Sequence, residues 1–141
     1  MESRKKHTKP RDIIDKPLLD KYALYQRAVQ EPEADIEFID EIFKDRFGRK
    51  PHFLREDFCG TAYLACEWLK HDPANRAIGV DLDPESISWG METNVKGLSE
   101  VQAQHLTLHQ GDVVDVGSES VDVLVAFNFS YYSFKTRAEL L

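Results

Sequence analysis

The stretch that decides the fold is PHFLREDFCGTAYLACEWLKHDPANRAIGVD, residues 51–81. Its pattern predicts a strand over Phe53–Phe58, a tight turn, a helix over Thr61–His71 and a buried strand over Ala77–Val80. Asp81 follows directly where the second strand ends. A strand–helix–strand unit of this kind is the building block of parallel α/β sheets.

The same alternation continues downstream. Asp83 and Pro84 are placed as the cap and first residue of a helix that runs to about Lys96. Residues 104–110 alternate apolar and polar side chains, which is typical of an edge strand. Residues 121–127 are apolar except for Asp122, which favours a central parallel strand, and a helix begins at about Phe134. We therefore expect an open, mostly parallel α/β sheet with four strands present.

Two helices are predicted before the sheet, over 16–30 and 33–47. The first is preceded by a basic, polar segment, and the second ends at Gly48, a residue that favours a helix C-cap. The predicted organisation is a basic flexible leader at 1–15, a helical lead-in at 16–50 and a sheet-bearing domain at 51–141.

Composition excludes several classes of protein. A formal net charge of −7 argues against a nucleic-acid sheath, although it leaves room for a local basic patch. No stretch is apolar enough to cross a membrane. Cys59 and Cys66 favour neither a disulfide nor a metal site, and no histidine pair has ligand spacing, so we expect no metal and a cytoplasmic location.

The chemistry of the stretch lies at the carboxyl ends of its strands, where open α/β sheets bind ligands. Small residues at 59–62 let a ligand approach the backbone closely. Asp81 lies 21 residues after Gly60, where a carboxylate can accept hydrogen bonds from both hydroxyls of a ribose. The turn lacks the GxGxxG pattern of dinucleotide-binding oxidoreductases.

At this point the sequence resembles the class I S-adenosylmethionine-dependent methyltransferases, which have a Rossmann-like sheet. Glu56 and the small run at 59–62 are similar to the first motif of that family, and 79–83 looks like the second. Residues 111–113 look like the loop after the third strand, and 121–126 like the fourth strand. The resemblance covers about residues 51–134.

The resemblance implies S-adenosylmethionine as the cofactor. Its methionine part would lie against Glu56 and the turn, and its ribose against Asp81. Its adenine would pack on Leu82, and Asp112 would take the adenine amino group. Phe58 and Ala62 stand where the family often has glycine, and either Glu56 or Asp57 faces the site. The implied cofactor-binding residues are Glu56, Cys59, Gly60, Thr61, Ala62, Asp81, Leu82, Asp112, Val113, Asn128 and Tyr25.

Two further segments carry candidate site residues. Asn128 and Tyr131, in NFSYY, match the outer positions of the N-P-P-Y motif in amino-methylating members and are the candidate catalytic residues. The alternatives for this segment are a general lining of the active site or simple packing. Tyr25 shares a helix face with Tyr22, either for core packing or as part of a lid over the cofactor.

The favoured hypothesis is methyl transfer from S-adenosylmethionine to a small molecule, with the acceptor and the oligomeric state open. The alternatives are an NAD(P)-binding oxidoreductase and a truncated, non-catalytic Rossmann-like module. The family sheet ordinarily has more strands than the four counted here, so we expect the chain to be the N-terminal part of a longer protein. We then also expect an exposed sheet edge that favours aggregation or pairing.

Overall fold

A computed structural model describes residues 21–23, 26, 31–117 and 119–127. The chain forms two compact units, 1–31 and 32–141. In the first unit, residues 21–23 and 26 are helical, and the Lys21 ammonium lies 5.5 Å from the centre of the Tyr22 ring. The rest of the predicted helix at 16–30, and the helix predicted from Phe134, lie outside the described residues.

The second unit alternates helices and strands along the chain. In order, it contains helix α1 (Pro32–Phe47), strand β1 (Phe53–Asp57), helix α2 (Tyr63–His71), strand β2 (Arg76–Asp81), helix α3 (Pro84–Glu92), a 3-10 turn (Val95–Gly97), helix α4 (Glu100–Gln104), strand β3 (Leu106–Gln110) and strand β4 (Val123–Val125). Gly48, at a φ of 71°, ends α1, and its N–H donates to the carbonyl of Lys44. The predicted cap is therefore present.

The four described strands form one sheet in the order β3-β2-β1-β4, and every pairing is parallel. The predicted α/β fold class is confirmed, as is the edge position of β3. The prediction of a central strand over 121–127 is not met among the described strands, where β4 is shorter and pairs with β1 alone. Asp122 lies directly before the strand, and its carboxylate accepts the N–H groups of His52 and Phe53, at 2.8 and 3.0 Å.

The region between β2 and β3 differs most from the sequence prediction. Helix α3 begins after Asp83 as expected but ends at Glu92 rather than near Lys96. The Asn94 side chain turns back to donate hydrogen bonds to the carbonyl and hydroxyl of Thr61. Helix α4 is unpredicted, although its capping box of Ser99 and Gln102 is a recognisable sequence signal.

The core lies between α1, α2 and one face of the sheet. Trp68 is fully buried, and its indole N–H lies 3.2 Å from the carbonyl oxygens of both His52 and Arg76. The buried cluster around it consists of Ile36, Ile39, Leu54, Cys59, Ala62, Leu64, Ala65, Leu69, Ala77 and Val125. Burial of this apolar surface is the main stabilising contribution to such a domain.

An open apolar groove of about 340 Å³ lies between α1 and β4. Its exposed walls include Phe38, Ile42 and Phe47 from α1 and Leu124 and Phe127 from the β4 segment. Phe47, the last residue of α1, has a large apolar side chain and is nevertheless 60% exposed. Contiguous apolar surface of this kind usually marks an interaction site rather than free surface.

Gly90 sets how closely α3 approaches the turn before α2. A Cβ atom at this position would lie 2.3 Å from the carbonyl oxygen of Thr61. We expect Gly90→Ala to lower the free energy of unfolding by about 1–3 kcal/mol, because the helix must move away from rigid backbone. Urea denaturation monitored by tryptophan fluorescence measures the change.

Gly97→Ala is the matched control, since a Cβ there would meet only the flexible tip of Lys70, at 3.9 Å. It should change the free energy of unfolding by less than about 1 kcal/mol. Equal effects of the two substitutions would contradict the steric role of Gly90.

Candidate functional site

The turn between β1 and α2 has a backbone that alternates into the left-handed region. Phe58, Gly60 and Ala62 have φ values of 57°, 56° and 59°. Left-handed backbone costs a residue with a side chain roughly 1–2 kcal/mol, and glycine nothing comparable. Phe58 and Ala62, the two departures from the resembled motif, therefore keep a conformation that suits glycine.

The N–H groups of this turn are bonded within the protein. Cys59 donates to the carbonyl of Val80 at 2.9 Å, Gly60 to the Asp81 carboxylate at 2.7 Å, and Ala62 to the carbonyl of Cys59 at 2.9 Å. The side chains of Cys59 and Ala62 are fully buried. These three N–H groups are therefore not available to a phosphate.

Gly79 allows the turn to lie directly on β2. A Cβ atom there would stand 3.0 Å from the Cys59 sulfur and 2.8 Å from a methyl carbon of Leu108. Burial raises the pKa of the Cys59 thiol well above its usual range. Cys59 and Cys66 are both free thiols, as expected, and Cys59 acts as a packing residue against the sheet.

Asp81 joins three turns at the carboxyl edge of the sheet. One of its carboxylate oxygens accepts the N–H of Gly60, and the other accepts the N–H of Asp83 at 2.8 Å. Its carbonyl accepts the N–H of Gly111 at 2.9 Å. The segments after β1, β2 and β3, which carry the predicted cofactor-binding residues, therefore meet at this aspartate.

Glu56 and Asp57 point to opposite faces of β1. Glu56 is 2% exposed, and its Oε2 accepts the N–H of Ala65 in the first turn of α2 at 3.0 Å. Asp57 lies on the other face, paired with Arg55 at 2.6 Å. Of the two acids left open by the sequence, Glu56 is the one beside the turn.

Burial raises the pKa of Glu56 to about 8, because the ionised carboxylate loses its hydration. The hydrogen bond from Ala65 opposes this shift, whereas the nearby charges of Asp81 and Asp35 add to it. Asp35 lies in the first turn of α1. Two further acidic side chains therefore lie close enough to Glu56 to influence its pKa.

The loop after β3 holds Asp112 in a tight turn. Its Oδ1 accepts the N–H of Val114 at 3.0 Å, and its carbonyl accepts the N–H groups of Asp115 and Val116. Leu82 is 62% exposed at the neighbouring strand end. Both residues are therefore placed at the same edge as Asp81.

Sequence reasoning missed several residues that shape this edge. Arg55 and Asn94 hold the loops through long-range hydrogen bonds, which no local pattern reveals. Gly90 could have been recognised from the sequence, because an isolated glycine inside a predicted helix often marks a close contact with another segment. Tyr25, Asn128 and Tyr131 lie outside the described residues.

Within the ranges that the structure describes, no group of histidine, cysteine or acidic residues could hold a metal ion. The helices of that same part include none long and apolar enough to cross a membrane.

The pKa of Glu56 predicts a pH-dependent stability. Its folded-state pKa lies above the ordinary value, so its protonation stabilises the fold fully below about pH 4.5, and this contribution is lost as pH rises to about 8. We expect Glu56→Gln to make the free energy of unfolding less dependent on pH between 5 and 8.5, by at least about 1 kcal/mol. Urea denaturation at both pH values gives the difference.

The control is Glu100→Gln, at an exposed position in the first turn of α4, which should retain the wild-type dependence. If Glu56→Gln and the wild type lost equal stability over this range, the raised pKa would be contradicted.

Comparisons with known proteins place this edge in context. Neither a protein-family model nor a curated protein sequence matches the chain. Among solved structures, it is similar to the sugar N-methyltransferase KedS8 from Streptoalloteichus sp ATCC 53650, with 22% identity, a TM-score of 0.62, and coverage of 84% of this chain and 44% of that one.

Two other solved structures give the same result. CalS10, an amino pentose methyltransferase from Micromonospora echinaspora solved with S-adenosylmethionine bound, has 15% identity and a TM-score of 0.64, over 85% of this chain and 46% of that one. The plantazolicin methyltransferase BpumL, solved with a desmethylplantazolicin analogue and S-adenosylhomocysteine, has 18% identity and a TM-score of 0.58, over 78% and 40%.

The chain spans less than half the length of each of these methyltransferases. The part that the structure describes contains a parallel four-stranded sheet with helices between its strands. The chain therefore has, over this part, the Rossmann-like fold of the class I S-adenosylmethionine-dependent methyltransferases.

Proposed function

We propose that this chain binds S-adenosylmethionine and forms the cofactor half of a methyltransferase. The observation that carries the proposal is the arrangement around Asp81, where three turns meet and the N–H groups of the first turn are already bonded. The edge offers carboxylates and backbone rather than phosphate-binding donors. It suits a ligand that carries a ribose and positive charge.

The same geometry weighs against a dinucleotide. A pyrophosphate needs free N–H groups at the turn and at the helix N-terminus. Here Cys59, Gly60 and Ala62 donate within the protein, and Glu56 occupies the N–H of Ala65 in the first turn of α2. Phosphate would also be repelled by the Asp81 carboxylate, whereas the positive charge of S-adenosylmethionine would be attracted to it.

Each proposed contact with the cofactor uses a protein group that is able to make it in this structure. Both oxygens of Asp81 accept one N–H, and each keeps a lone pair for a ribose hydroxyl. Leu82 offers an exposed apolar side chain to the adenine, and Asp112 and Val113 would contact the same base. Glu56 would interact with the methionine amino group, with the main chain of 59–62 against the same part of the cofactor.

When bound, S-adenosylmethionine supplies an activated methyl group with a good leaving group. The protein then contributes mainly proximity and orientation of the acceptor. We propose a small molecule as that acceptor, since KedS8 and CalS10 act on a sugar and an amino pentose. Asn128 and Tyr131 would orient the acceptor, Asn128 would also adjoin the cofactor, and Tyr25 would cover the cofactor.

Titration with S-adenosylhomocysteine tests the ribose assignment. We expect Asp81→Asn to weaken binding at least about tenfold, because a neutral amide is a poorer partner for two hydroxyls than a carboxylate. Isothermal titration calorimetry on the full chain measures the dissociation constants. NAD is titrated in parallel.

Asp83→Asn is the matched control, because Asp83 is exposed and caps α3, a role that asparagine also performs. Its affinity should equal that of the wild type. Unchanged affinity of Asp81→Asn would remove the ribose assignment, and tighter binding of NAD than of S-adenosylhomocysteine would overturn the proposed cofactor.

A further inference from the structure

Arg55 is a buried guanidinium in the middle of β1. The residue is 4% exposed, and its Nε donates to Asp57 at 2.6 Å. Nη2 donates to the carbonyl of Val113 at 3.1 Å, and Nη1 to those of Val116 and Gly117 at 3.3 and 3.4 Å. One side chain therefore holds three carbonyl groups of the loop that follows β3.

Burying a guanidinium is costly unless its donors are satisfied. The planar fork meets this condition, because it directs donors at Asp57 and at the loop simultaneously. A lysine ammonium is a compact point charge and cannot match that spread. The arrangement indicates that the position of the loop, rather than charge alone, depends on Arg55.

The hydrogen bonds from Arg55 hold the part of the 111–117 loop that lies after Asp112. The first residue of the loop, Gly111, is held by the carbonyl of Asp81. Within the part of the chain that the structure describes, Asp112 bonds only inside the turn that it begins. Among the described residues, the Oδ2 atom of Asp112 makes no hydrogen bond, so it remains available to a ligand. Arg55 joins the other side of the same turn to β1, some 60 residues earlier in the chain.

We propose that Arg55 is the positioning residue for adenine recognition, which fixes the loop at 111–117 so that the Asp112 carboxylate meets the adenine amino group. This inference rests on the proposed function. Arg55 itself contacts no ligand in this arrangement, since its donors are bonded to Asp57 and to the loop.

The first measurement requires no ligand. Hydrogen–deuterium exchange with mass spectrometry compares the wild type with Arg55→Lys, and the peptide that contains 111–117 should exchange at least about tenfold faster in the variant. Peptides from α2 and β2 should remain unchanged. The matched control is Arg49→Lys, which alters an exposed arginine that pairs with Asp122 at the opposite end of β1.

The second measurement uses the adenine amino group. S-inosylhomocysteine carries a carbonyl in its place, so the wild type should bind S-adenosylhomocysteine at least about tenfold more tightly. In Arg55→Lys we expect this preference to fall towards that of Asp112→Ala. In the double variant, the Arg55 change should have little further effect on the preference.

Because a buried arginine substitution can prevent folding, Asp57→Asn provides a second variant. It keeps the guanidinium and weakens its orientation, so the same two effects should be present but smaller.

Faster loop exchange together with a reduced preference supports the proposal. Unchanged loop exchange, or equal losses of affinity for both ligands, overturns it. If the wild type bound neither ligand, the proposed function and the adenine role would both fail, whereas the exchange data would still report whether Arg55 holds the loop.

Discussion

The hydrogen bonds of Asp81 are the constraint on which the site depends. Its carboxylate and carbonyl hold Gly60, Asp83 and Gly111, which begin the segments after three successive strands. In a parallel sheet these segments share an edge, but nothing in strand pairing fixes their separation. A single aspartate supplies that separation. The residue that we propose for ribose binding therefore also organises the backbone around it, and both roles would use the same carboxylate oxygens.

Much of this edge could be predicted because it is encoded locally. Strand and helix periodicity, a run of small residues and an acid at a strand end are all features of short windows. They placed Asp81, the turn at 59–62 and the Asp83 cap correctly within the fold. Phe58 and Ala62 were also noticeable in the sequence, because they stand where the resembled family often has glycine, and the structure gives both a left-handed backbone.

The rest depends on contacts between distant residues. Just after the early end of α3, Asn94 bonds to Thr61, 33 residues earlier, and helix periodicity in the sequence cannot reveal such a contact. The burial of Arg55 is likewise hidden, since a charged residue in a strand suggests an edge or a wet face until its partners are known. The sequence also could not reveal which N–H groups of the turn at 59–62 are already bonded within the protein. These bonds are the reason why we propose S-adenosylmethionine rather than a dinucleotide as the cofactor.

The bond between Asp122 and the start of β1 has a consequence for folding. It joins residues 70 positions apart, whereas β1 and β2 pair over a much shorter loop. Such long-range closure is entropically costly and slow, so β1 keeps one open edge until the chain has been synthesised beyond β4. The final pairing is helped by charge, because Arg49 and the two N–H groups lower the pKa of Asp122 to about 2. Nascent chains would therefore have their greatest need of chaperones before this aspartate emerges from the ribosome.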